Sequence, residues 1–196
     1  EASTILDIFH EIGGAGVAYS ENFKERDMQH IRSLRYYREV SLTDFLNRSG
    51  ATFPNLPQPF DRENGTVIAV NDGYFTELQF HFKSDDHFLN ISISPSMIDP
   101  LNIEELQKNL VDAAGNPMEI ERINGSTAIV KQKINNGSGL VYNYYFYNED
   151  DDAIYVRSDS ANEYYSYHNG LIYHIGYNYT APVDKLQMDE FVKDFI

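Results

Sequence analysis

The chain has 196 residues, 42% hydrophobic and 23% charged, a balance too apolar for a disordered tail and a length sufficient to bury one good core. Its formal net charge of −15 opposes attraction to phosphate backbones and anionic headgroups, so nucleic acid is not an expected partner. Cysteine is absent, which removes disulfides, thiolate metal sites and cysteine nucleophiles together.

Ile5-Leu6-Asp7-Ile8-Phe9 carries apolar positions at helical spacing and ends at Gly13-Gly14, a helix stop, and a second helix is expected over about residues 22–34. Residues 1–40 thus form an N-terminal helical segment and 41–196 the main domain. Ser41 and Asp44 resemble a capping box for a helix that buries Leu42, Phe45 and Leu46 and stops at Gly50. Pro54, Pro57 and Pro59 then hold the chain extended as a connector.

Three strands follow, Thr66–Val70, Phe75–Phe82 and Phe88–Ile93, parted by turn residues. Alternation is strict in the second, with Leu78, Phe80 and Phe82 on one side and Glu77, Gln79 and His81 on the other. One face of this sheet is therefore expected to be core, and the other solvated or covered by polar structure. Asn102 and Glu105 cap a helix whose apolar stripe is Ile103, Leu106, Leu110 and Val111. A hairpin is expected from Met118–Glu121 and Thr127–Lys131 across Asn124-Gly125.

The last third carries Leu140–Tyr147, Ala153–Arg157 and Leu171–Tyr177, which reads as a three-strand antiparallel meander. In its final strand Leu171, Tyr173, Ile175 and Tyr177 share a core face, while Ile172, His174, Gly176 and Asn178 share a wetter one. Met188, Phe191, Val192, Phe195 and Ile196 then recur at helical spacing, a helix packed on the sheet. The order predicts an α+β fold, an antiparallel sheet or sheets of about eight strands with three or four short helices. Hairpin blocks on both sides of the Asn102 helix allow two similar lobes.

Chemistry-bearing constellations are sparse. His81, Asp85, Asp86 and His87 flank one hairpin turn, and two imidazoles with two carboxylates offer ligands to a divalent ion, although polar hairpin tips are common. The acidic run Glu149–Asp152 lacks the spaced ligands and glycine of a calcium loop. No nucleophile elbow, zinc-protease helix, phosphate loop or dinucleotide fingerprint occurs, so neither an enzyme nor a cofactor is expected. Asn-x-Ser/Thr triplets begin at Asn47, Asn64, Asn90, Asn124, Asn136 and Asn178, three of them Asn-Gly pairs that turn chemistry explains equally well.

Most of the 15 tyrosines lie in the last third. Tyrosine gives broad contact area at low entropic cost with a polar handle, so Tyr145, Tyr147, Tyr155, Tyr164, Tyr165 and Tyr167 are the candidate ligand- or partner-binding set. The plainer account is that tyrosine fills the wetter face of a twisted sheet.

Val40-Ser41-Leu42-Thr43-Asp44-Phe45-Leu46, the Gly50–Pro57 stretch, Gly115-Asn116-Pro117, Tyr167–Tyr173 and the terminal Leu-x-Met-Asp-Glu-Phe-Val helix resemble extracytoplasmic domains of Gram-positive membrane-anchored regulators, including anti-sigma factors, and related lipoproteins. The resemblance spans roughly residues 40–196 and supplies no catalytic residues. It implies a cell-surface or membrane-anchored location, with the anchor upstream of a chain that opens at Glu1-Ala2. It also implies a sensory or regulatory role in which a sheet face binds a small ligand or protein. A ligand- or carbohydrate-binding surface lipoprotein is the alternative expectation, and a hydrolase built from His and carboxylates on the polar face is the third.

Overall fold

Strand alternation and a short list of caps organise the molecule. The computed structural model describes residues 19–20, 35–71, 76–112, 115–124, 127–133, 141–148, 150, 153–178 and 185–196. Among them lie strands β1 (Tyr19–Ser20), β2 (Arg35–Ser41), β3 (Gly65–Asn71), β4 (Thr76–Ser84), β5 (His87–Pro95), β6 (Met118–Asn124), β7 (Thr127–Gln132), β8 (Tyr142–Asn148), β9 (Ala153–Asp159), β10 (Asn162–His168) and β11 (Leu171–Asn178). Helices α1 (Leu42–Ser49), α2 (Ile103–Leu106) and α3 (Lys185–Phe195) complete the described elements, with one 3-10 turn at Arg62–Asn64. The two helices expected before residue 35 lie outside the described residues.

The fold is α+β and antiparallel, as expected. Nine strands form one sheet in the order β1-β2-β3-β4-β5-β11-β10-β7-β6, and β8 with β9 form a separate pair. The hairpin blocks flanking α2 are thus joined in a single sheet by β5 and β11, which pair from Leu171↔Pro95 to Asn178↔Phe88. This corrects the three-strand meander: β8 and β9 do not pair with β11, whose neighbours are β5 and β10. Strand β10 was hidden because Asn162-Glu163-Tyr164-Tyr165-Ser166-Tyr167-His168 has no aliphatic alternation. Its link to β11 is the Asn169-Gly170 pair, with φ of 48° and 80°, the two left-handed residues that a two-residue hairpin turn requires.

One sheet face carries the main core. Val67, Leu78, Phe80, Phe82, Leu89, Ile91, Ile93, Leu171, Tyr173 and Ile175 pack there against Leu42 of α1 and Met188, Phe191 and Val192 of α3. Burying each such side chain contributes about 1.5–3 kcal/mol, so this layer dominates stability. Helix α1 starts where expected, Ser41 Oγ accepting from the Asp44 N–H at 3.1 Å, and stops at Gly50 with φ 66°. The proline connector drops Phe53 into the aromatic layer, its ring 5.3 Å from Phe80 and 5.2 Å from Phe195.

Helix α3 is also held by charge. The Lys131 Nζ, on a nearly buried side chain, lies 2.6 Å from Glu121 Oε2 and 3.0 Å from Asp189 Oδ2, and the Tyr164 hydroxyl donates to Asp189 Oδ1 at 2.7 Å. Burial opposes the ammonium charge, but the two carboxylates together outweigh it and raise the lysine pKa. Helix α2 is shorter than its stripe predicted: it ends at Leu106, and Leu110 and Val111 are exposed. The chain there turns into the Val111↔Pro117 bridge that leads to β6.

Candidate functional site

The second face of the sheet is polar by alternation. Strands β4, β5 and β11 place Glu77, Gln79 and His81, Asn90 and Ser92, and His174 and Gly176 on it. The β8–β9 hairpin lies across this face and covers part of it. Gln79 is fully buried, and its side-chain amide grips the main chain of Tyr145: Nε2 donates to the Tyr145 carbonyl at 2.7 Å and Oε1 accepts the Tyr145 N–H at 2.7 Å. A glutamine amide so placed substitutes for one residue of a neighbouring strand. Because both main-chain groups of Tyr145 point at the sheet, β8 presents its edge there, and its burial pattern shifts register at that residue. Tyr142, Tyr144 and Tyr147 are buried, whereas Phe146 is 40% exposed.

Tyr142 is the second anchor. Its ring fills the space left by the missing side chain of Gly176, where an added Cβ would sit 2.5 Å from the ring. Its hydroxyl accepts from Asn90 Nδ2 at 2.8 Å and donates toward the His174 carbonyl at 3.3 Å. Burial raises the Tyr142 pKa far above the ordinary phenol value, so the hydroxyl stays protonated. Asn90 is itself fully buried and closes the chain by facing His81 Nδ1 at 3.2 Å. Its triplet is thus inaccessible to glycosylation in the folded chain.

Between the hairpin and the β3–β4–β5 end of the sheet lies a cleft of ≈ 300 Å³. Thr66, Ile68, His81, Lys83 and Phe88 form the sheet side, Tyr144–Tyr147, Arg157 and Asp159 the hairpin side, and Asp85–His87 the rim. The His81 ring stacks on Tyr144 at 5.0 Å and 14°, and Phe88 stacks on Tyr144 at 5.1 Å. Burial pushes the His81 pKa down to about 4, the Asn90 hydrogen bond pulls against this, and Arg157 and Lys83 deepen the shift. The imidazole is therefore neutral at pH 7. Asp159 Oδ2 takes both the Tyr144 hydroxyl at 2.8 Å and Arg157 Nε at 3.0 Å, so the polar wall of the cleft is preset.

The His81, Asp85, Asp86 and His87 group sits at the β4–β5 turn. In the β4–β5 ladder His81 pairs with Asn90 and His87 with Ser84, and both histidines border the cleft. Among the described residues no group of three or more His, Cys, Asp or Glu is placed to hold a metal ion.

The candidate tyrosines divide. Tyr145 and Tyr147 line the cleft, while Tyr155 is half-buried on β9 opposite Phe146. Tyr164 is buried in the helix face, against Tyr177 and Asp189. Tyr165, on the other face, stacks on His174 at 4.2 Å and donates to Glu163, and Tyr167 donates to the Ser96 carbonyl at 3.2 Å. The set therefore forms no single row of rings. Sequence reasoning passed over Lys83, Phe146, Arg157 and Asp159; Lys83 and Arg157 stand on strands 74 residues apart, and nothing in the sequence registers β9 on β4.

A second polar array lies on the same face. His174 Nε2 meets the buried carboxylate of Glu163 at 2.6 Å, and Ser92 donates to Glu77 at 2.7 Å. Burial raises the Glu77 pKa against the lowering pull of Ser92 and His174. These groups belong to four strands, and their hydrogen bonds run to one another. Among the described residues no helix is long and apolar enough to cross a membrane. Compared with family models, curated proteins and solved structures, the chain gives no match.

Proposed function

We propose that this chain is a non-catalytic binding domain whose ligand enters the cleft between the β8–β9 hairpin and the sheet. The observation that carries this reading is the cleft itself: a ≈ 300 Å³ concavity, on the face that alternation leaves polar, with aromatic rings beside preset polar groups. That combination, a partly apolar lining with a few fixed polar side chains, is what small-molecule sites share. Its His81 and Asp159 are engaged in structure: His81 is neutral and turned to Asn90, and Asp159 is shared by Tyr144 and Arg157. A nucleophile paired with a base, the first requirement of acyl or glycosyl transfer, is not formed by these contacts.

The resemblance to extracytoplasmic domains of membrane-anchored Gram-positive regulators supports placing this binding at the cell surface, where ligand occupancy would alter a regulatory partner. The ligand-binding lipoprotein is the competing form of the same reading. A thermal-shift screen of the chain against a small-molecule library tests the cleft, with Phe146→Ala and Arg157→Ala as controls. Hits that raise Tm in the parent and not in the variants are the expected result. Stabilisation that survives both substitutions would contradict the reading. Protease shaving of intact producing cells tests location: surface cleavage is expected, and full protection with the chain in the cytosol would contradict it.

A further inference from the structure

We infer that the ligand class of the cleft is a neutral saccharide of one or two rings, an inference that rests on the cleft being the binding site. The charge lining decides first. Lys83 and Arg157 stand against Asp85, Asp86 and Asp159, so the cleft offers strong donors and strong acceptors with no surplus of positive charge. In a chain of net charge −15 such a site repels anions at long range, and among the described residues it has no cluster of cations to reverse that. A ligand dense in hydroxyls, each a donor and an acceptor at once, matches such a mixed lining better than an ion of either sign.

Shape and rigidity decide next. A volume of ≈ 300 Å³ sits at the small end of ligand sites, which suits a short polar molecule better than a folded partner. Arg157, Asp159 and Tyr144 hold one another through two hydrogen bonds, so the planar polar groups are fixed before any ligand arrives. Phe146, 40% exposed on the hairpin side, is a large apolar side chain left open at this cleft. Its ring supplies the flat apolar surface that the C–H face of a sugar covers, and burying it contributes free energy without asking for charge.

The experiment is a binding titration of the full chain, isotope-labelled and followed by amide chemical shifts. The probes are neutral mono- and disaccharides of glucose, mannose and N-acetylglucosamine, with a parallel panel of amino acids, dipeptides and aromatic monocarboxylates. The expected result is that at least one saccharide moves Lys83, Phe146 and Arg157, and that Phe146→Ala and Arg157→Ala each weaken it at least tenfold while the rest of the spectrum keeps its dispersion. A charged or peptidic probe that moves those residues when no saccharide does would overturn the saccharide class and leave the cleft in place. Shifts confined to other surfaces, or none from any probe, would overturn both.

Discussion

The Gln79 side-chain amide and the Tyr145 main chain exchange two hydrogen bonds of 2.7 Å across 66 residues of sequence, and this pair holds the hairpin to the sheet. Replacing Gln79 by Met keeps the volume and removes both of these bonds to the Tyr145 main chain. A loss of about 2–4 kcal/mol is expected from deleting two such part-buried hydrogen bonds. Urea unfolding measures it. Hydrogen exchange of the Tyr145 amide should accelerate even where global stability is retained, and unchanged exchange would count against the clamp.

Gly176 and Tyr142 form a close-fitting pair. Gly176→Ala would place a Cβ about 2.5 Å from the Tyr142 ring, which must then leave its seat. Overpacking of this kind costs about 1–3 kcal/mol. Tyr142→Ala loses its own contacts, but in that background Gly176→Ala should cost far less, because the clash has gone. A double-mutant cycle by chemical unfolding reads the coupling, and additive losses would show that the two side chains do not meet.

Stability should fall on acidification through His81. Its folded pKa of about 4 lies below the ordinary histidine value, so the unfolded state binds the proton first. The stability linked to this group is complete above about pH 6.5 and is lost as pH falls toward 4, up to about 3 kcal/mol. Glu77 acts with opposite sign: its raised pKa makes its contribution largest in acid and diminishing as pH rises through the folded value. Comparing the parent with His81→Gln between pH 4 and 7 isolates the histidine. The variant should show the shallower loss of stability in acid, and parallel curves would contradict the assignment.

Lys131 and Asp189 tie α3 to the sheet. Lys131→Ala removes the cation shared by Asp189 and Glu121, leaving Asp189 with only the Tyr164 hydroxyl among these partners. Breaking a largely buried pair in this way costs about 3–5 kcal/mol, whereas adding Asp189→Ala should recover part of it. Thermal or urea unfolding of the two singles and the double measures this. A double variant as unstable as the sum of the singles would show that the pair is not coupled.

Local rules made much of this fold legible. Ser41 and Gly50 bracket α1 as capping chemistry requires, Asn169-Gly170 forms the β10–β11 turn, and alternation in β4 and β11 assigns both faces correctly. The spacing of Met188, Phe191 and Val192 likewise gives α3 its buried side. What failed was non-local. The pairing of β5 with β11 joins segments some 80 residues apart, and no local pattern selects it over a meander. Helix α2 lacks the second turn because an apolar stripe needs a surface to bury it, and Leu110 and Val111 stay exposed. The tyrosines misled for a related reason: adjacent Tyr164 and Tyr165 point to opposite faces, so density along the chain says little about a surface. Only the register of the hairpin on the sheet brings Arg157 and Lys83 to one cleft.

The most direct measurement is an amide chemical-shift map of the full chain during titration with the compounds that raise its Tm. The account predicts that the largest shifts fall on Lys83, Phe146, Arg157 and Asp159, and that Phe146→Ala abolishes them without altering the β5–β11 core resonances. Shifts centred instead on the His174–Glu163 array or on the α3 face, with the cleft residues unmoved, would contradict it.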